Sequence, residues 1–315
     1  MNAPLRARVP RRSVHGVLLL DKPVGLTSNN ALQRAKRLYR AEKAGHTGTL
    51  DPLASGLLPL CFGAATKFAQ ASLDADKAYR ATLALGERTA SGDRETEVIE
   101  RRPVEVSAGR VQQVLQQFVG EIRQLPPMHS ALKKDGRALY HYARSGQAVE
   151  REPRTVRITQ ISIVSFQGAE LVIDVSCSKG TYIRTLADDI GQALGCGAHL
   201  AALRRTASGG LRLADALSFD ALEAMSEPER DACLQPADCL LAGWPELSLA
   251  ADEAARFLTG LRRRVAAADV PAVRVYALQP RAFLGCGHVT AGELIADRLL
   301  SPVEVQASRP SGPTP

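Results

Sequence analysis

The sequence lacks long apolar runs, and none approaches the roughly 20 residues that a membrane-spanning helix needs. The longest run near the start, VLLL at 17–20, ends at Asp21. The basic stretch before it is followed by no long apolar segment and no small-residue cleavage site, so no signal peptide is predicted. These absences predict a soluble, cytoplasmic protein that does not associate with a membrane.

Paired cysteines are also missing. The six cysteines form no CxxC motif, and no histidines accompany them at the spacing of a zinc site. Free cysteine is often buried, and disulfides are rare in the cytosol. We therefore expect buried, reduced thiols and no metal site.

Acidic residues are scarce at the N-terminal end. Residues 1–50 contain ten basic and two acidic residues, a local balance of +8 against +7 for the whole chain. A basic face of this kind suits a polyanion. Charge alone leaves open a second interpretation, in which the segment is a solvated tail followed by a solvated helix face.

The 315 residues that are present suit a soluble globular protein of about two domains. The pattern predicts a buried strand over 15–23 and a basic helix capped by Ser28 or Asn29. Further along it predicts a strand over 78–86, a helix capped by Ser107, and a strand pair turning at 167–168. It also predicts a helix that starts near Tyr182 and stops at Gly191 or Gly195. Runs of strands with helices between some of them indicate an α+β fold with a mixed, mainly antiparallel sheet.

A long irregular segment, 123–155, interrupts this order, with one short helix predicted over 138–144. It is rich in Lys, Arg, His and Tyr, the residues that hold phosphates and stack on unpaired bases. Structureless segments of this length within a domain are usually functional or disordered. We interpret this one as an RNA-binding insertion.

The stretch KAGHTGTLDPLASGLLPLCFGAATK, at 43–67, places one acid, Asp51, in a glycine-rich loop before an apolar strand. A carboxylate shielded there needs a cationic partner, since burying it alone is very costly. A single acid without a metal cluster favours a covalent or proton-transfer role over a two-carboxylate hydrolase. From these residues alone, a second interpretation stays open, in which Asp51 only caps an Asp-Pro turn.

The chain resembles the TruB family of bacterial tRNA pseudouridine synthases, the enzymes for position 55 of the tRNA T-loop. The resemblance rests on six blocks, in order, over about residues 14–210: LLLDKPVGLTS, KAGHTGTLDPLASGLLPLCFGAATK, KAYRATLALG, QLPPMHSALKKDGRALYHYARSG, SKGTYIRTLADDIG and HLAALRRTASG. A weaker resemblance links the C-terminal module to PUA domains.

The resemblance implies a division of the chain into five parts. These are a basic arm (1–13) expected to be disordered, a pseudouridine synthase catalytic domain (14–240), its RNA-gripping insertion (123–155), a PUA-like RNA-binding domain (246–305), and a disordered tail (306–315).

The resemblance also implies roles for single residues. Asp51 matches the catalytic aspartate, and His46 matches the histidine that the target base displaces as it flips. Tyr79 matches the tyrosine that stacks on the flipped base.

The remaining matches concern substrate binding and support. Tyr182 matches a substrate-binding tyrosine, and Arg184 matches the arginine that pairs with the catalytic aspartate. Leu203 matches an apolar residue of the pocket, while Lys22 and Pro23 match a pair that buttresses the site.

The implied reaction breaks the C1′–N1 bond of uridine, turns the base and joins C1′ to C5. It adds no water and transfers no electrons, so no cofactor or metal is expected. The implied partner is tRNA, contacted at the T-arm and plausibly at the acceptor stem, and a monomer is expected. Whether Asp51 attacks C1′ or removes a proton from C2′ stays open. Two rival functions also remain: an RNA-binding chaperone without catalysis, and a relative guided to another uridine by an RNA–protein complex.

Overall fold

The computed structural model describes residues 10–128, 130, 132–134, 136–145, 147 and 149–307. The strands in these residues are β1 (Gly16–Lys22), β2 (Ala44–His46), β3 (Ala54–Phe62), β4 (Lys77–Leu85), β5 (Glu87–Thr89), β6 (Val98–Arg101), β7 (Gly120–Gln124), β8 (Lys133–Lys134), β9 (Arg137–Ala138), β10 (Arg154–Gln167), β11 (Glu170–Cys177), β12 (Ala198–Ser208), β13 (Leu211–Arg212), β14 (Glu246–Leu249), β15 (Arg263–Arg264), β16 (Val270–Ala277), β17 (Ala282–Thr290) and β18 (Glu293–Leu299).

The α-helices in the same residues are α1 (Ser28–Leu38), α2 (Ala69–Asp74), α3 (Ala108–Gln116), α4 (Leu139–Arg144), α5 (Ile183–Leu194), α6 (Phe219–Ala224), α7 (Glu227–Ala232), α8 (Ala251–Phe257) and α9 (Pro302–Ala307). Short 3₁₀ helices cover Gly63–Phe68, Leu213–Asp215 and Ala237–Leu241. Within the described ranges, no helix combines the length and the apolar character needed to cross a membrane.

The chain forms two compact units, each assembled from segments that are distant in sequence. The first unit comprises the described parts of Met1–Asp51, Leu57–Asp74 and Gly209–Pro315, and the second comprises Pro52–Gly56 and Ala75–Ser208. The chain therefore leaves the first unit directly after Asp51 and returns to it within β3. N- and C-terminal segments therefore fold together in the first unit. The domain boundaries that the sequence predicts stay a prediction.

The first unit has one hydrophobic cluster that both ends of the chain share. Val17 of β1 and Leu57 of β3 belong to the same cluster as Phe257 of α8 and Val275 of β16. The C-terminal strands form a five-stranded sheet in the order β14-β16-β17-β18-β15. The β-rich C-terminal module is therefore present as predicted, but it buries apolar surface together with the N-terminal strands.

The second unit is built on a mixed sheet in the order β3-β12-β4-β11-β10-β7. The start of β3 runs parallel to β12, and the other neighbours in this order are antiparallel. Apolar side chains of α3 and α5 pack in the cluster beneath these strands. This arrangement confirms the predicted α+β class with a mainly antiparallel sheet.

Most local predictions agree with the structure. Ser107 caps α3 by accepting a hydrogen bond from the backbone of Arg110, and Gly195 ends α5 in the left-handed conformation. The cap of α1 is one residue earlier than predicted, because the side chain of Thr27 accepts the bond from the amide of Asn30. The sequence reading assigned no element to 198–208, where the structure has β12.

The basic N-terminal surface is partly neutralised within the first unit. Arg34 lies 2.7 Å from the carboxylate of Glu223, and Arg40 pairs with Glu227. Arg12, in the arm expected to be disordered over 1–13, donates through both terminal nitrogens to Asp231. Residues 1–9 of the arm lie outside the described residues, and the expectation of disorder for the arm stays a prediction.

Candidate active site

A serine hydroxyl binds the backbone of the loop that carries Asp51. The Oγ of Ser28, at the start of α1, accepts a hydrogen bond of 2.7 Å from the amide of Leu50 and donates one of 3.0 Å to its carbonyl. A hydroxyl can donate and accept at once, so one buried side chain satisfies both backbone groups. The backbone directly before the half-buried Asp51 therefore has a defined position.

Buried threonine and glycine shape the same loop. Thr47 is fully buried; its amide donates to the carbonyl of Pro59 at 3.1 Å, and Ser72 donates to its hydroxyl at 3.0 Å. Gly48 has a φ of 85°, a left-handed conformation that favours glycine. His46 ends β2, opposite Leu60 of β3, and is half-buried.

Lys22 is a buried cation whose ammonium group binds backbone carbonyls. Its Nζ donates to the carbonyl of Pro23 at 2.9 Å and to that of Leu26 at 2.7 Å. Such bonds compensate the loss of water around a buried charge. The lysine thereby closes the turn after β1; the supporting role that the resemblance implies for Lys22 and the exposed Pro23 stays a prediction.

In the second unit, Arg184 pairs with a carboxylate that sequence reasoning missed. Its Nη1 lies 3.4 Å from Oδ2 of Asp93, and both side chains are almost fully buried. Asp93 in turn accepts hydrogen bonds from the hydroxyl of Ser91 at 2.6 Å and from the amide of Glu95 at 3.0 Å. In the sequence, Asp93 lies in the short polar turn SGDRET, which looks like an ordinary surface turn. Only the burial of both Asp93 and Arg184 in the structure shows that this aspartate matters.

Tyr182 is held by another residue that the sequence did not single out. The side-chain amide of Gln124, at the end of β7, accepts from the amide of Tyr182 at 3.0 Å and donates to its carbonyl at 3.3 Å. Gln124 is buried, and Tyr182 is the N-cap of α5. This pair of bonds sets the start of the helix that carries Arg184.

Tyr79 and Leu203 lie on adjacent strands of the second unit. Tyr79, on β4, packs partly against the hydrophobic cluster and lines an open, largely polar cavity of about 280 Å³. Leu203, on β12, lies opposite Ala81 of β4 and Ala54 of β3, and it contacts the same cluster. Both residues are half-buried, as residues that also contact a ligand would be.

The predicted site residues therefore fall into two groups. The first unit contains Lys22, Pro23, His46 and Asp51, whereas the second contains Tyr79, Tyr182, Arg184 and Leu203. The pairing of Asp51 with Arg184, which the resemblance implies, stays a prediction.

The cysteines are reduced, and burial makes most of them poor nucleophiles. Burial raises the pKa of Cys177 and of Cys286 to about 11, and that of Cys61 and of Cys239 to about 12. A thiol with such a pKa is almost entirely protonated at neutral pH. In the described part of the chain, no group of three or more His, Cys, Asp or Glu residues could hold a metal ion.

Comparison with known proteins identifies the family. The chain matches, in succession, TruB family pseudouridylate synthase (N terminal domain) over residues 36–183, tRNA pseudouridylate synthase B C-terminal domain over 184–242, and Pseudouridine synthase II TruB, C-terminal, over 245–300. The chain belongs to the TruB family of pseudouridylate synthases, and it is an enzyme of that class.

Individual relatives agree with this assignment. The tRNA pseudouridine synthase B of Verminephrobacter eiseniae is 58% identical over 307 residues, covering 95% of this chain and 93% of that protein. The protein of the same name from Burkholderia mallei is 56% identical, covering 94% and 97%. A chain in the crystal structure of a Cbf5-Nop10-Gar1 complex is 26% identical with a TM-score of 0.72, covering 92% of this chain and 87% of that one. The predicted family and fold class are thus confirmed.

Proposed function

We propose that this enzyme isomerises uridine 55 in the T-loop of tRNA to pseudouridine, with Asp51 as the catalytic residue. One observation carries the proposal: in a chain of the TruB family, the lone carboxylate of the glycine-rich loop directly follows a backbone position that Ser28 holds by two hydrogen bonds. A carboxylate that must reach one sugar carbon or its proton needs such a fixed backbone, because small misplacements lower rates strongly.

The substrate uridine must leave the folded T-loop before it can react. Base flipping costs a few kcal/mol, and stacking of the flipped base on an aromatic ring returns about 1–3 kcal/mol. Tyr79 provides that ring, the target base displaces His46 as it flips, and Tyr182 and Leu203 contact the base. The half-buried state of Tyr79 and Leu203 supports these roles.

Asp51 then acts on the sugar, either at C1′ or at the C2′ proton. Arg184 pairs with Asp51 and keeps its carboxylate ionised. The C1′–N1 bond breaks and the uracil leaves as a stabilised anion; C5 then joins C1′, C5 loses its proton, and N1 gains one. The support for Arg184 is its burial beside Asp93, which holds the guanidinium in one orientation. Lys22 and Pro23 support the loop. Monomeric state, cytoplasmic location and acceptor-stem contact remain part of the proposal.

The test is mass mapping of pseudouridine in an unmodified tRNA transcript after incubation with the protein alone. Wild-type protein should modify uridine 55, whereas Asp51→Asn should form no detectable product while binding tRNA normally. A transcript with cytidine at position 55 serves as the substrate control. Product in the Asp51→Asn reaction at the wild-type rate would exclude the catalytic assignment.

The same assay separates the rival functions. A chaperone would bind the transcript without modifying it. An enzyme that needs a guide would leave the bare transcript unmodified and would act only with added RNA and proteins.

A further inference from the structure

Arg205 is a buried arginine to which neither the sequence reading nor the proposed function assigns a role. It lies on β12, directly opposite Tyr79 of β4 in the antiparallel register. Its exposed fraction is 1%, and it is among the largest fully buried side chains of the described residues. Burying a guanidinium is costly unless its donors are satisfied, so a residue of this kind requires an explanation.

The backbone of Arg205 is fixed by a glycine on the other neighbouring strand. Gly56 of β3 is the parallel partner of Arg205 and has a φ of 98°. A Cβ at Gly56 would lie 2.3 Å from the carbonyl oxygen of Arg205 and 2.8 Å from its amide nitrogen. Only glycine allows this approach, so β12 is held between β3 and β4 at this residue.

The side chain of Arg205 is hydrogen-bonded to the side chain of Tyr79. A guanidinium has donors and no acceptor, so Arg205 donates and the phenolic oxygen of Tyr79 accepts. Burial lowers the pKa of Arg205, and the bond with Tyr79 opposes that change. An arginine stays protonated at neutral pH despite such shifts, so Tyr79 accepts a charge-assisted hydrogen bond.

This bond limits the motion of the tyrosine. The ring loses freedom to rotate away from the strand, because the oxygen at its tip is hydrogen-bonded to a side chain that is itself buried. A ring that stacks on a flipped base benefits from such a fixed orientation.

We propose that Arg205 is a positioning residue for Tyr79: it holds the phenolic oxygen so that the ring is set for the flipped uracil. The inference rests on the proposed function, in which Tyr79 contacts the target base. It goes beyond that function by assigning the orientation of Tyr79 to a residue that does not touch the substrate.

The test is a double-mutant cycle of Arg205→Met and Tyr79→Phe, measured as the single-turnover rate at saturating enzyme. With Tyr79 present, Arg205→Met should lower the rate about tenfold or more, since it removes one charge-assisted hydrogen bond. In the Tyr79→Phe background the same change should lower it less than about threefold, because the acceptor is already absent. The affinity for tRNA should change less than about twofold in every variant.

Equal rate losses in both backgrounds would overturn the proposal, because they would show that Arg205 acts on stability or on another group. An unchanged rate in a folded Arg205→Met protein would overturn it as well. Failure of the wild-type protein to form pseudouridine would instead reject the proposed function, so the two failures are distinguishable.

A second measurement covers the case in which Arg205→Met does not fold. Arg205→Lys keeps the charge but loses the planar fork of donors. The NMR signal of the Tyr79 ζ-carbon, assigned by its disappearance in Tyr79→Phe, should shift in Arg205→Lys without any substrate present. Arg80→Met is the matched control, because Arg80 lies beside Tyr79 on β4 but binds Asp174 through two nitrogens at 2.8 Å. It should leave that signal in place, and an equal shift in both variants would contradict the proposed bond.

Discussion

The two groups of proposed site residues are held by different kinds of contact. In the first unit, neutral backbone groups are bound by single side chains: Ser28 binds Leu50, and Lys22 binds two carbonyls. In the second unit, Gln124 likewise binds the backbone of Tyr182, but two buried arginines bind side chains: Arg184 pairs with Asp93, and Arg205 binds Tyr79. The difference predicts how each side tolerates change.

Neutral hydrogen bonds such as those of Ser28 contribute about 0.5–1.5 kcal/mol each to stability, and hydrogen bonds of a charged group such as Lys22 contribute about 1.5–3 kcal/mol. Removing one partner of a buried ion pair costs more, about 3–5 kcal/mol. The second unit should therefore be the more sensitive side for single substitutions. Its side chains also orient each other, so a loss there should affect stability and rate together.

The largest effect is expected for Asp93→Asn, which removes one buried carboxylate charge from beside Arg184. The free energy of unfolding should fall by about 3–5 kcal/mol, and the single-turnover rate should fall with it. Urea denaturation and pseudouridine formation measure the two effects. The control is Asp174→Asn, because the Arg80–Asp174 pair is about half exposed and should contribute no more than about 1 kcal/mol. Equal losses in the two variants would remove the contrast between the units.

Phe257→Ala should change stability without changing the chemistry. Phe257 is fully buried in the cluster that β1 and β3 share with the C-terminal strands, so the truncation should cost about 3–5 kcal/mol. The single-turnover rate of the folded fraction should stay at the wild-type value.

Because the N-terminal strands share this cluster with the C-terminal strands, ending the chain near residue 245 should yield a poorly folded protein. A truncated protein that melts at the wild-type temperature would show that the C-terminal module is independent.

Ser28→Ala tests the first unit, in which a side chain holds the backbone before Asp51 by hydrogen bonds. It leaves the amide and carbonyl of Leu50 without their shared partner, which should cost about 1–3 kcal/mol. The rate should fall as well, because the residue before Asp51 loses its anchor. Ser107→Ala is the control: it removes the cap of α3, costs about 1 kcal/mol and should leave the rate unchanged. If both serine variants lower the rate equally, the anchor has no specific role.

The smallest effect concerns the basic face of α1. Lys36 and Arg37 form no ion pair among the described residues, whereas Arg34 is bound to Glu223 and lies over the ring of Phe219. If the helix binds phosphates, Lys36→Ala and Arg37→Ala should each lower the log–log salt slope of tRNA affinity by roughly one unit. Arg34→Ala should change the slope less than about half a unit. A larger change for Arg34 would mean that its pair opens when tRNA binds.

Most local elements and the family can be predicted from the sequence alone. Apolar strands such as β1 and β3, the cap at Ser107 and the end of α5 at Gly195 follow from periodicity and from residues with strong conformational preferences. The loop that carries the lone Asp51 could be predicted for the same reason, because glycine and proline restrict or widen the backbone conformations at their own positions.

The features that depend on burial and on strand register can be seen only in the tertiary structure. Arg204 and Arg205 are adjacent arginines with the same local sequence around them. Arg204 is half-exposed near Ser55, whereas Arg205 is buried against Tyr79. Asp93 gains its importance from Arg184, which lies 91 positions further along the chain. A charged side chain reads as a surface residue until long-range strand pairing places a partner beside it, and no local pattern encodes that partner. The shared core of the two chain ends could not be predicted for the same reason, because the sequence does not show which apolar residues of distant segments will pack together.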